Sequence, residues 1–416
     1  MRVLYYHQHF TTPEGASGTR SYENACRLIA AGHQVTMVCG SYAGGRTGLH
    51  DAFVKGRREG IVAGIRVIEF ELPYSNADGF VKRTLTFLRF AWRSVLVALL
   101  ERHDVLFATS TPLTAGIPGI VARWLKGQRF VFEVRDLWPE LPREMGVIRN
   151  PLVLRAMDWL EWSCYHSAQA CIGLSPGIVR GIRRRGIAPE RVHLVPNGCD
   201  LALFSGEEQA LELPAEVGRA LPPDALIAAF TGSHGIANGL DAVLDAAAEL
   251  KRRGRRDVTL LFVGDGKLKP ALLARAQREG LDNCVFLPPL PKKQLAALMH
   301  ARIDVGLMIL DNVEAFYYGT SPNKFFDYLA AGKPVLTNYP GWVADLINES
   351  ACGVAVPPED PAAFADALCQ LAEQRATLPA LGRAARSLAE RRFDRRQLAE
   401  DWLRVIEGVH RGQAAV

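Results

Sequence analysis

The sequence lacks the long hydrophobic runs that would place it inside a membrane. None of its apolar stretches reaches about 18 uninterrupted residues, so no membrane span is expected. The N-terminal residues 1–6 lead directly into a predicted strand and have no signal-peptide core. We therefore expect a cytoplasmic protein.

Paired cysteines and a strong charge excess are also missing. The net charge is only +5, and neither zinc-finger spacing nor an aromatic-basic repeat is present, so no nucleic-acid partner is predicted. The eight cysteines form no C-x-x-C pair, and most lie in apolar runs, which predicts small buried thiols in a reducing compartment. They are Cys26, Cys39, Cys164, Cys171, Cys199, Cys284, Cys352 and Cys369.

The length and the element pattern predict two α/β domains. A chain of 416 residues is too long for one hydrophobic core. Each half opens in the same way, with a strand, a glycine-containing loop and a helix, as doubly wound sheets do. We place the first domain at residues 1–200 and the second at 201–389, with a helix at about 390–410 folding back over the first. Facing loops of two such domains would form a cleft that closes by domain motion.

The predicted helix at residues 80–100 is amphipathic and basic. Lys82, Arg89 and Arg93 fall on a narrow face, whereas leucines and Trp92 spread over the opposite one. Residues 80–102 contain five basic residues and one acid, a net charge of +4. Such a helix could lie in an anionic membrane surface. The alternative is a helix that packs on the sheet and keeps its arginines in water.

Four ionisable residues cluster in the segment 133–140, directly after a buried strand. Glu133, Arg135 and Asp136 would lie in the crevice where open α/β sheets bind their ligands. An ion pair with a purely structural role is the alternative for Arg135 and Asp136.

The glycine-rich loops would let a ligand approach the backbone closely. The first loop, at residues 13–18, follows the first strand, but it has no G-x-G-x-x-G spacing and no acid ends the next strand. A nicotinamide site is therefore disfavoured. A tight turn without a ligand is the alternative.

The segment 317–335 is where we place the chemistry. A short turn-forming run at 319–323 precedes a helix that ends at Gly332. A loop that enters a helix N-terminus suits a phosphate, and Lys324 adds a positive charge there. Asp327, one turn later, would be unhelpful beside a phosphate unless it bound hydroxyls, as a ribose requires.

Three motifs carry a resemblance to a known family. They are Pro196-Asn197-Gly198-Cys199-Asp200, Phe262-Val263-Gly264-Asp265-Gly266, and the run Phe325-Phe326-Asp327-Tyr328-Leu329-Ala330-Ala331-Gly332-Lys333-Pro334-Val335. With them, essentially the full chain resembles a retaining glycosyltransferase of family 4, which has the GT-B fold of two Rossmann-like domains. Residues 133–140 are similar to the signature of a bacterial surface-polysaccharide branch that transfers N-acetylfucosamine or N-acetylglucosamine.

The resemblance implies a donor site spread over several loops. Asp327 takes the second carboxylate position of the E-x7-E motif and would hold the ribose, whereas the first position is Gly319, which has no side chain. Ser233 and Asn238 stand where many relatives have Arg and Lys, so the diphosphate would depend on Lys324 and His234. Arg135 stands about where other branches of the family carry a histidine near the transferred sugar. The remaining donor-binding candidates are Gly15, Ala16, Ser17, Gly18, Gly232, Gly264, Asp265, Thr320, Ser321, Pro322 and Asn323.

The expected reaction moves an N-acetylated hexosamine from a UDP-linked donor to a lipid-linked saccharide, at the inner face of the cell membrane. No Asp-x-Asp lies in a plausible metal position, so Lys324 and a helix N-terminus would stabilise the leaving diphosphate without a metal or other cofactor. Retention implies front-face attack, with a double displacement through Glu133 or Asp136 as the alternative. A non-hydrolysing UDP-sugar 2-epimerase and a non-catalytic sugar-nucleotide binding protein are the competing functions.

Overall fold

The computed structural model describes residues 1–15, 18–42, 45–75, 78–205 and 221–412. The chain divides into two compact units. The first contains Met1–Pro196, Gly319–Ser321 and Arg396–Val416, and the second contains Asn197–Tyr318 and Pro322–Arg395. The main division thus falls at residue 196, compared with 200 in the sequence-based prediction. Of the predicted sites at residues 13–18, Ala16 and Ser17 lie outside the described residues.

The first unit is built on an eight-strand sheet, as far as the chain is described. Its order is β3-β4-β2-β1-β5-β6-β7-β8, and every pair is parallel except β3 with β4. The chain leaves β1 toward one edge and later returns to its other side at β5, so the order reverses between these two strands. The strands are β1 Arg2–Tyr6, β2 Gln34–Tyr42, β3 Arg57–Val62, β4 Ile65–Tyr74, β5 Val105–Thr109, β6 Arg129–Val134, β7 Ala170–Gly173 and β8 Val192–Leu194.

The second unit has a parallel sheet in the order β11-β10-β9-β12-β13-β14. Here the order reverses between β9 and β12. Buried aliphatic and aromatic side chains fill every position of the central strands β9, β10 and β12 apart from Thr231, Thr259 and Gly306, which is typical of parallel strands covered on both faces. The strands are β9 Leu226–Thr231, β10 Val258–Val263, β11 Cys284–Leu287, β12 Val305–Met308, β13 Val335–Thr337 and β14 Gly353–Ala355.

Helices cover these sheets and position the loops. Those of the first unit are α1 Arg20–Ala30, α2 Phe80–Leu100, α3 Ile117–Lys126, α4 Glu140–Glu144, α5 Pro151–Ser167 and α6 Pro176–Arg184. They are followed by α7 Asp241–Arg252, α8 Lys269–Glu279, α9 Lys292–Arg302, α10 Glu314–Gly319, α11 Asn323–Ala330, α12 Trp342–Ser350, α13 Pro361–Glu373, α14 Leu378–Arg392 and α15 Arg395–Arg411. Short 3₁₀ helices lie at Leu113–Gly116, Pro189–Arg191, Ile236–Asn238 and Arg375–Thr377.

Helix α15 supplies part of the core of the first unit. Trp402 is fully buried, with its ring 4.9 Å from that of Phe107 and 5.9 Å from that of Tyr5. A helix at the end of the chain therefore packs against β1 and β5, which carry those two residues. None of the helices in the described part of the chain is long and apolar enough to cross a membrane.

The structure differs from the predicted elements at three places. Strand β3 was not predicted, because its Arg-Arg-Glu-Gly start has little apolar character. The helical pattern of residues 111–126 corresponds to a 3₁₀ helix at Leu113–Gly116 followed by α3, which begins at Ile117. The turn predicted at 319–323 is shorter, because α10 extends to Gly319 and α11 begins at Asn323. The cysteines are all free, six of them buried and two, Cys26 and Cys284, half-buried.

Candidate active site

Lys324 lies where the strand order of the second sheet reverses. It is the second residue of α11, which follows β12, and its ammonium Nζ donates to Oδ1 of Asn238 at 2.6 Å. Asn238 belongs to the loop after β9, the neighbour of β12 in the sheet. The ammonium also stands 4.3 Å from the ring centroid of Phe230. The two loops that the sequence singled out separately thus meet at one cation, in the crevice where such sheets bind ligands.

The surroundings of this cation are neutral. In the part of the chain that the structure describes, no carboxylate lies within ion-pair distance of Lys324; an amide oxygen and an aromatic face are its neighbours. Burial lowers the pKa of Lys324 to about 7. Its charge is therefore costly without a ligand, and an anion that entered the crevice would restore the positive form.

The glycines of this unit are needed for close approach between its own loops. A Cβ at Gly264 would lie 1.9 Å from the carbonyl oxygen of Gly232, and one at Gly266 would lie 2.7 Å from the backbone of His234. Gly232 and Gly264 also have φ angles of +134° and +148°, which favour glycine. The loops after β9 and β10 therefore require glycine whether or not a ligand is present.

The side chain of His234 does not fit the predicted contact with a diphosphate. Its ring is fully buried and lies 6.0, 6.2 and 6.4 Å from the rings of Phe230, Phe262 and Phe286. Burial lowers the pKa of His234 to about 4, with Lys269 acting in the same direction. The imidazole is therefore neutral at physiological pH, and only its backbone could face a ligand.

The remaining donor-site candidates between residues 233 and 327 have mixed surroundings. Asp327 is 7% exposed and pairs with Lys292, whose Nζ lies 3.1 Å from its carboxylate. A Cβ at Gly319 would meet open space, so a side chain would fit there. Asp265 is exposed and accepts a hydrogen bond from the amide of Gly266, and the carbonyl of Ser233 accepts one from Asn238. Thr320, Ser321 and Pro322 form the short connection between α10 and α11.

In the first unit, an ionised glutamate holds two arginines where the strand order reverses. Glu133 near the end of β6 is fully buried, 2.9 Å from the guanidinium of Arg20 and 3.4 Å from that of Arg135. Thr109, at the end of β5, donates to the same carboxylate at 3.0 Å. Burial alone would raise the pKa of Glu133, but the two arginines and these hydrogen bonds keep it below its usual value. The carboxylate is thus a structural anchor.

This geometry does not support Glu133 as a nucleophile. Both of its oxygens are occupied, Oε2 by Arg20 and Oε1 by Thr109 and Arg135, and its side chain has no exposed surface. Asp136 is half-buried, and burial raises its pKa while Arg135 opposes the change. Of the two acids considered as nucleophiles, Asp136 is therefore the one with exposed surface.

The sequence prediction missed polar residues directly after β1. His7 and Gln8 are buried, and the pKa values of His7 and His9 are lowered by burial and by Arg135, that of His9 to about 4. The centroid of the His9 ring lies 4.5 Å from that of the Tyr74 ring, and the two ring planes are tilted by 30°. The available signal was three polar residues next to the carboxyl end of a central strand, the same argument that selected residues 133–140. Arg20 could not be identified, because its partner lies 113 residues away.

The first glycine loop is packed tightly at its start. A Cβ at Gly15 would lie 2.0 Å from Oγ1 of Thr11, so glycine is required there by the loop itself. Gly18 is exposed, three residues after Gly15 and just before α1. Its predicted contact with the donor stays a prediction.

Helix α2 packs through a different face from the one predicted to be apolar. Its buried residues are mostly small, and Tyr6 donates to the carbonyl of Ser94 at 3.0 Å. The leucine and tryptophan face is exposed instead, with Trp92 at 68% and Leu88 at 49%. Arg93 is not a free cation of the helix surface, because it donates to the carbonyl of Gly56 at 2.9 Å. Lys82 pairs with Asp78, and Arg89 is exposed.

Potential metal ligands do not cluster in the described ranges: no three His, Cys, Asp or Glu side chains lie together there.

Family comparisons assign both halves of the chain. Residues 15–198 match the glycosyl transferase 4-like domain, and residues 225–374 match the glycosyl transferases group 1 domain. The chain is 25% identical to the putative colanic acid biosynthesis glycosyl transferase WcaI of Escherichia coli K12, over 98% of this chain and all of that protein. It is also 25% identical to the probable glycosyltransferase WbjE of Pseudomonas aeruginosa, over 78% of this chain and 80% of that one.

Solved structures of glycosyltransferases share the fold. Sucrose-phosphate synthase of Thermosynechococcus elongatus has a TM-score of 0.76 at 17% identity, covering 99% of this chain and 100% of that one. Anabaena HepE, in complex with UDP and glucose, has a TM-score of 0.69 at 17% identity, covering 98% and 100%. At this identity the likeness concerns the fold, and it confirms the predicted GT-B class.

Proposed function

Because the chain belongs to the GT-B glycosyltransferases with a family 4-like and a group 1 domain, we propose that it transfers a sugar with retention from a UDP-linked donor to a lipid-linked saccharide in surface-polysaccharide assembly. The sugar we propose is an N-acetylated hexosamine such as N-acetylglucosamine or N-acetylfucosamine. The name of WcaI connects that relative with colanic acid, a polysaccharide. HepE, which has a similar fold, was solved with UDP and glucose, so UDP is the first nucleotide to test.

The observation that carries the proposal is the half-buried ammonium of Lys324 at the start of α11. The leaving diphosphate gains negative charge as the bond to the sugar breaks, and a preorganised cation in a poorly solvated crevice stabilises that charge. Asn238 holds the ammonium in place without neutralising it. The backbone amides at the helix N-terminus act in the same direction.

A panel of nucleotide sugars tests the donor. Binding of a donor stabilises the folded protein by mass action and so raises its melting temperature. The free energy of unfolding increases by about 2.7 kcal/mol at a donor concentration 100 times the dissociation constant. We expect UDP-N-acetylglucosamine or a related UDP-sugar to stabilise the protein more than GDP- or TDP-sugars do. No stabilisation by any sugar nucleotide would contradict the proposal.

Turnover that persists in EDTA would support a metal-independent reaction. The anomeric configuration of the product shows whether the configuration is retained.

An incubation with donor alone separates a transferase from an epimerase. An epimerase converts UDP-N-acetylglucosamine without any acceptor, whereas a transferase needs a hydroxyl to attack. We expect no epimer when the protein is incubated with this donor alone.

The acceptor proposal rests on an exposed apolar surface of the first unit. Trp92 and Leu88 on α2 are joined by Trp124 on α3 and by Trp159 and Trp162 on α5, all of them exposed. Helix α2 packs on α3, and α3 packs on α5, so these helices are neighbours. Exposed tryptophans and leucines near basic residues suit the boundary of an anionic membrane. We propose that this surface docks on the inner membrane, where a lipid-linked acceptor would be found.

Flotation with vesicles that contain phosphatidylglycerol tests the docking. The parent protein should float with them, and the double variant Leu88→Ser and Trp92→Ser should lose most of that binding. Arg89→Glu should weaken binding more at low salt than at high salt. Ile61→Ser is the matched control, because Ile61 is an equally exposed aliphatic residue on the edge strand β3. A parent protein that stays with the unbound fraction would contradict membrane docking.

A further inference from the structure

A cavity lies at the amino edge of the first sheet, opposite to the edge that carries Glu133 and Arg135. Its volume is about 390 Å³, which is in the range of small-ligand sites. The ends of α3, α5 and α15 enclose it together with the residues that lead into β7 and β8. We call it the amino-edge cavity, and its lining includes Arg123, Trp124, His166, Glu190, Arg191 and His193.

The charged side chains of the amino-edge cavity leave one positive charge in excess. Two arginines, Arg123 and Arg191, line it together with one acid, Glu190. Within the described ranges, no carboxylate lies within ion-pair distance of either arginine, and both donate to backbone carbonyls instead. The cavity therefore favours an anion over a cation.

The two arginines also offset the helix ends that meet at the cavity. The carboxyl end of a helix carries partial negative charge, which by itself would oppose an anion. Arg191 donates to the carbonyls of Tyr165 at 3.4 Å and Gln169 at 3.3 Å, near the end of α5. Arg123 makes a 3.5 Å contact with the carbonyl of Gly127, just after α3. Because that contact is long, the guanidinium of Arg123 keeps most of its N–H donors for a ligand.

His193 adds an uncharged donor to the cavity. Neither ring nitrogen has a hydrogen-bond partner among the residues that the structure describes, and Nε2 is buried. Burial lowers the pKa of His193, so the imidazole is neutral at physiological pH. Buried polar atoms are normally paired. A ligand that accepts a hydrogen bond from this ring would supply the pairing.

The apolar part of the cavity continues into the tryptophan surface proposed above to dock on the membrane. Trp124, which is 72% exposed, is held in place because its Nε1 donates to Oγ of Ser167 at 2.9 Å. The ring of His166 stacks on that of Trp162, with the centroids 4.0 Å apart. Both tryptophans belong to the surface, whereas Trp124 and His166 line the cavity. An amphiphile can therefore place its polar end in the cavity while its chains stay against the indoles.

We propose that the amino-edge cavity binds the headgroup of an anionic phospholipid, with the phosphate at Arg123 and His193 and the acyl chains against Trp124 and Trp162. This inference rests on the membrane docking proposed above. Arg123 forms charge-assisted hydrogen bonds with the phosphate, and His193 donates one more. Glu190 is exposed and opposes the anion. The cavity thus adds a saturable lipid site to the diffuse attraction of a basic surface.

A soluble short-chain lipid tests the site on the full-length protein without a membrane. Dihexanoyl phosphatidylglycerol, kept below the concentration at which it forms micelles, is titrated by calorimetry. We expect Arg123→Gln to weaken binding about 10- to 100-fold, the effect of losing a hydrogen bond to a charged group. Glu190→Gln should strengthen binding about two- to threefold, because it removes an exposed like charge.

Arg184→Gln is the matched control for the loss of a charge. Arg184 is an exposed arginine at the end of α6, in the same unit, and it does not line the cavity. This variant should keep the affinity of the parent protein. A loss as large as that in Arg123→Gln would mean that the lipid responds to overall charge, which would overturn a specific site.

His193→Phe separates lipid binding from a structural role. The phenyl ring keeps a planar shape and removes a buried nitrogen that has no partner, so the melting temperature should not fall. The affinity for dihexanoyl phosphatidylglycerol should nevertheless fall about 3- to 10-fold, the effect of one neutral hydrogen bond. Parent-like affinity in both Arg123→Gln and His193→Phe would overturn the inference.

Two further probes identify the class of ligand. Dihexanoyl phosphatidylcholine has the same chains and a phosphate but no net charge, and inorganic phosphate has the charge without the chains. Both should bind at least about 10-fold more weakly than dihexanoyl phosphatidylglycerol. Equal binding of phosphatidylcholine would indicate a site for apolar chains alone, and equal binding of inorganic phosphate a site for a free anion. Either result would overturn the lipid proposal.

Vesicle flotation shows which proposal fails. If the parent protein floats with phosphatidylglycerol vesicles but the cavity variants bind the soluble lipid as the parent does, only this inference is overturned. If the parent neither floats nor binds the soluble lipid, the membrane docking is overturned as well. The sugar-nucleotide panel tests the transferase function separately from both results.

Discussion

The two sheets treat the cations at their carboxyl edges in opposite ways. In the first unit, Arg20 and Arg135 share the buried carboxylate of Glu133, so one of their two positive charges is compensated from within. In the second unit, Lys324 has an amide oxygen and the face of Phe230 as neighbours, and among the described residues no acid pairs with it. Burying an uncompensated charge is unfavourable, whereas an internal counterion offsets part of that cost.

This difference indicates different tasks for the two edges. A cation that is left without an internal counterion can gain a large interaction with a ligand anion, so the edge at Lys324 suits a diphosphate. A cluster that already contains a counterion gains less from a ligand anion. It also offers fixed hydrogen-bonding groups, which suit the neutral hydroxyls of a saccharide. The predictions below challenge this distinction, beginning with the largest expected effect.

Loss of the Lys324 ammonium should affect catalysis most. We expect Lys324→Ala to lower kcat by about 100- to 1,000-fold, the usual cost of removing one preorganised group that stabilises developing charge. Steady-state turnover with the donor identified by the binding panel is the measurement, and Lys293→Ala is the control with an exposed lysine. A kcat within about threefold of the parent corresponds to less than 1 kcal/mol and would mean that Lys324 has no part in leaving-group stabilisation.

Loss of the internal counterion should affect stability most. Glu133→Gln leaves Arg20 and Arg135 partly buried without neutralisation, and we expect a loss of about 3 kcal/mol in the free energy of unfolding at pH 7. Denaturant unfolding of the full chain measures it. Glu59→Gln is the control, because Glu59 pairs with Arg57 and Arg66 at the surface, where such pairs contribute about 1 kcal/mol or less.

The pH dependence of this loss provides a second check. The pKa of folded Glu133 lies below its usual value, so its stabilising effect is complete above the pKa of the unfolded chain and is lost as pH falls through the folded pKa. The difference between parent and Glu133→Gln should therefore shrink in acid. A difference that is constant from neutral pH down to about 3 would show that packing, not charge, causes the loss.

Removal of the Lys324 ammonium should stabilise the ligand-free protein, in contrast to the substitution of Glu133. The folded pKa of Lys324, about 7, lies below the usual value of 10.5. The cost of burying its charge is thus complete below pH 7 and declines as pH rises toward the unfolded value. We expect Lys324→Met to stabilise the ligand-free protein by about 1–2 kcal/mol at pH 6 and by less at pH 9. Lys269→Met should instead destabilise it, because Lys269 donates to the carbonyls of Gly264 and Leu287.

The contrast between the edges was only partly visible in the sequence. Lys324 and Glu133 could each be selected, because they follow strands or begin helices at places where ligands bind. Their partners could not, since Asn238 is 86 residues from Lys324 and Arg20 is 113 from Glu133. Whether a charge is paired depends on such distant contacts, and periodicity carries no information about them.

The strands were predictable for a physical reason, and the packing of α2 was not. Short, largely apolar runs such as Val258–Val263 favour a strand that is buried on both faces. An apolar stripe on a helix normally faces the core, yet α2 buries its small residues and exposes Leu88 and Trp92. Small side chains such as Ala91 and Ser94 allow close packing on the sheet, and hydrophobicity alone does not reveal that preference.

The smallest expected effect is a link between donor binding and proton uptake. With a free pKa of about 7, Lys324 is mostly neutral at pH 8, and a bound diphosphate raises its pKa again. UDP binding at pH 8 should therefore take up close to one proton, and the affinity should fall about fivefold between pH 7 and pH 8. Calorimetry in buffers of different ionisation enthalpy measures the uptake.

In Lys324→Arg the guanidinium stays charged throughout, so both the proton uptake and the pH dependence of the affinity should disappear. Uptake that is unchanged in this variant would assign the proton to another group. In that case the absence of a described counterion beside Lys324 would not explain how the carboxyl edge of the second sheet differs from that of the first.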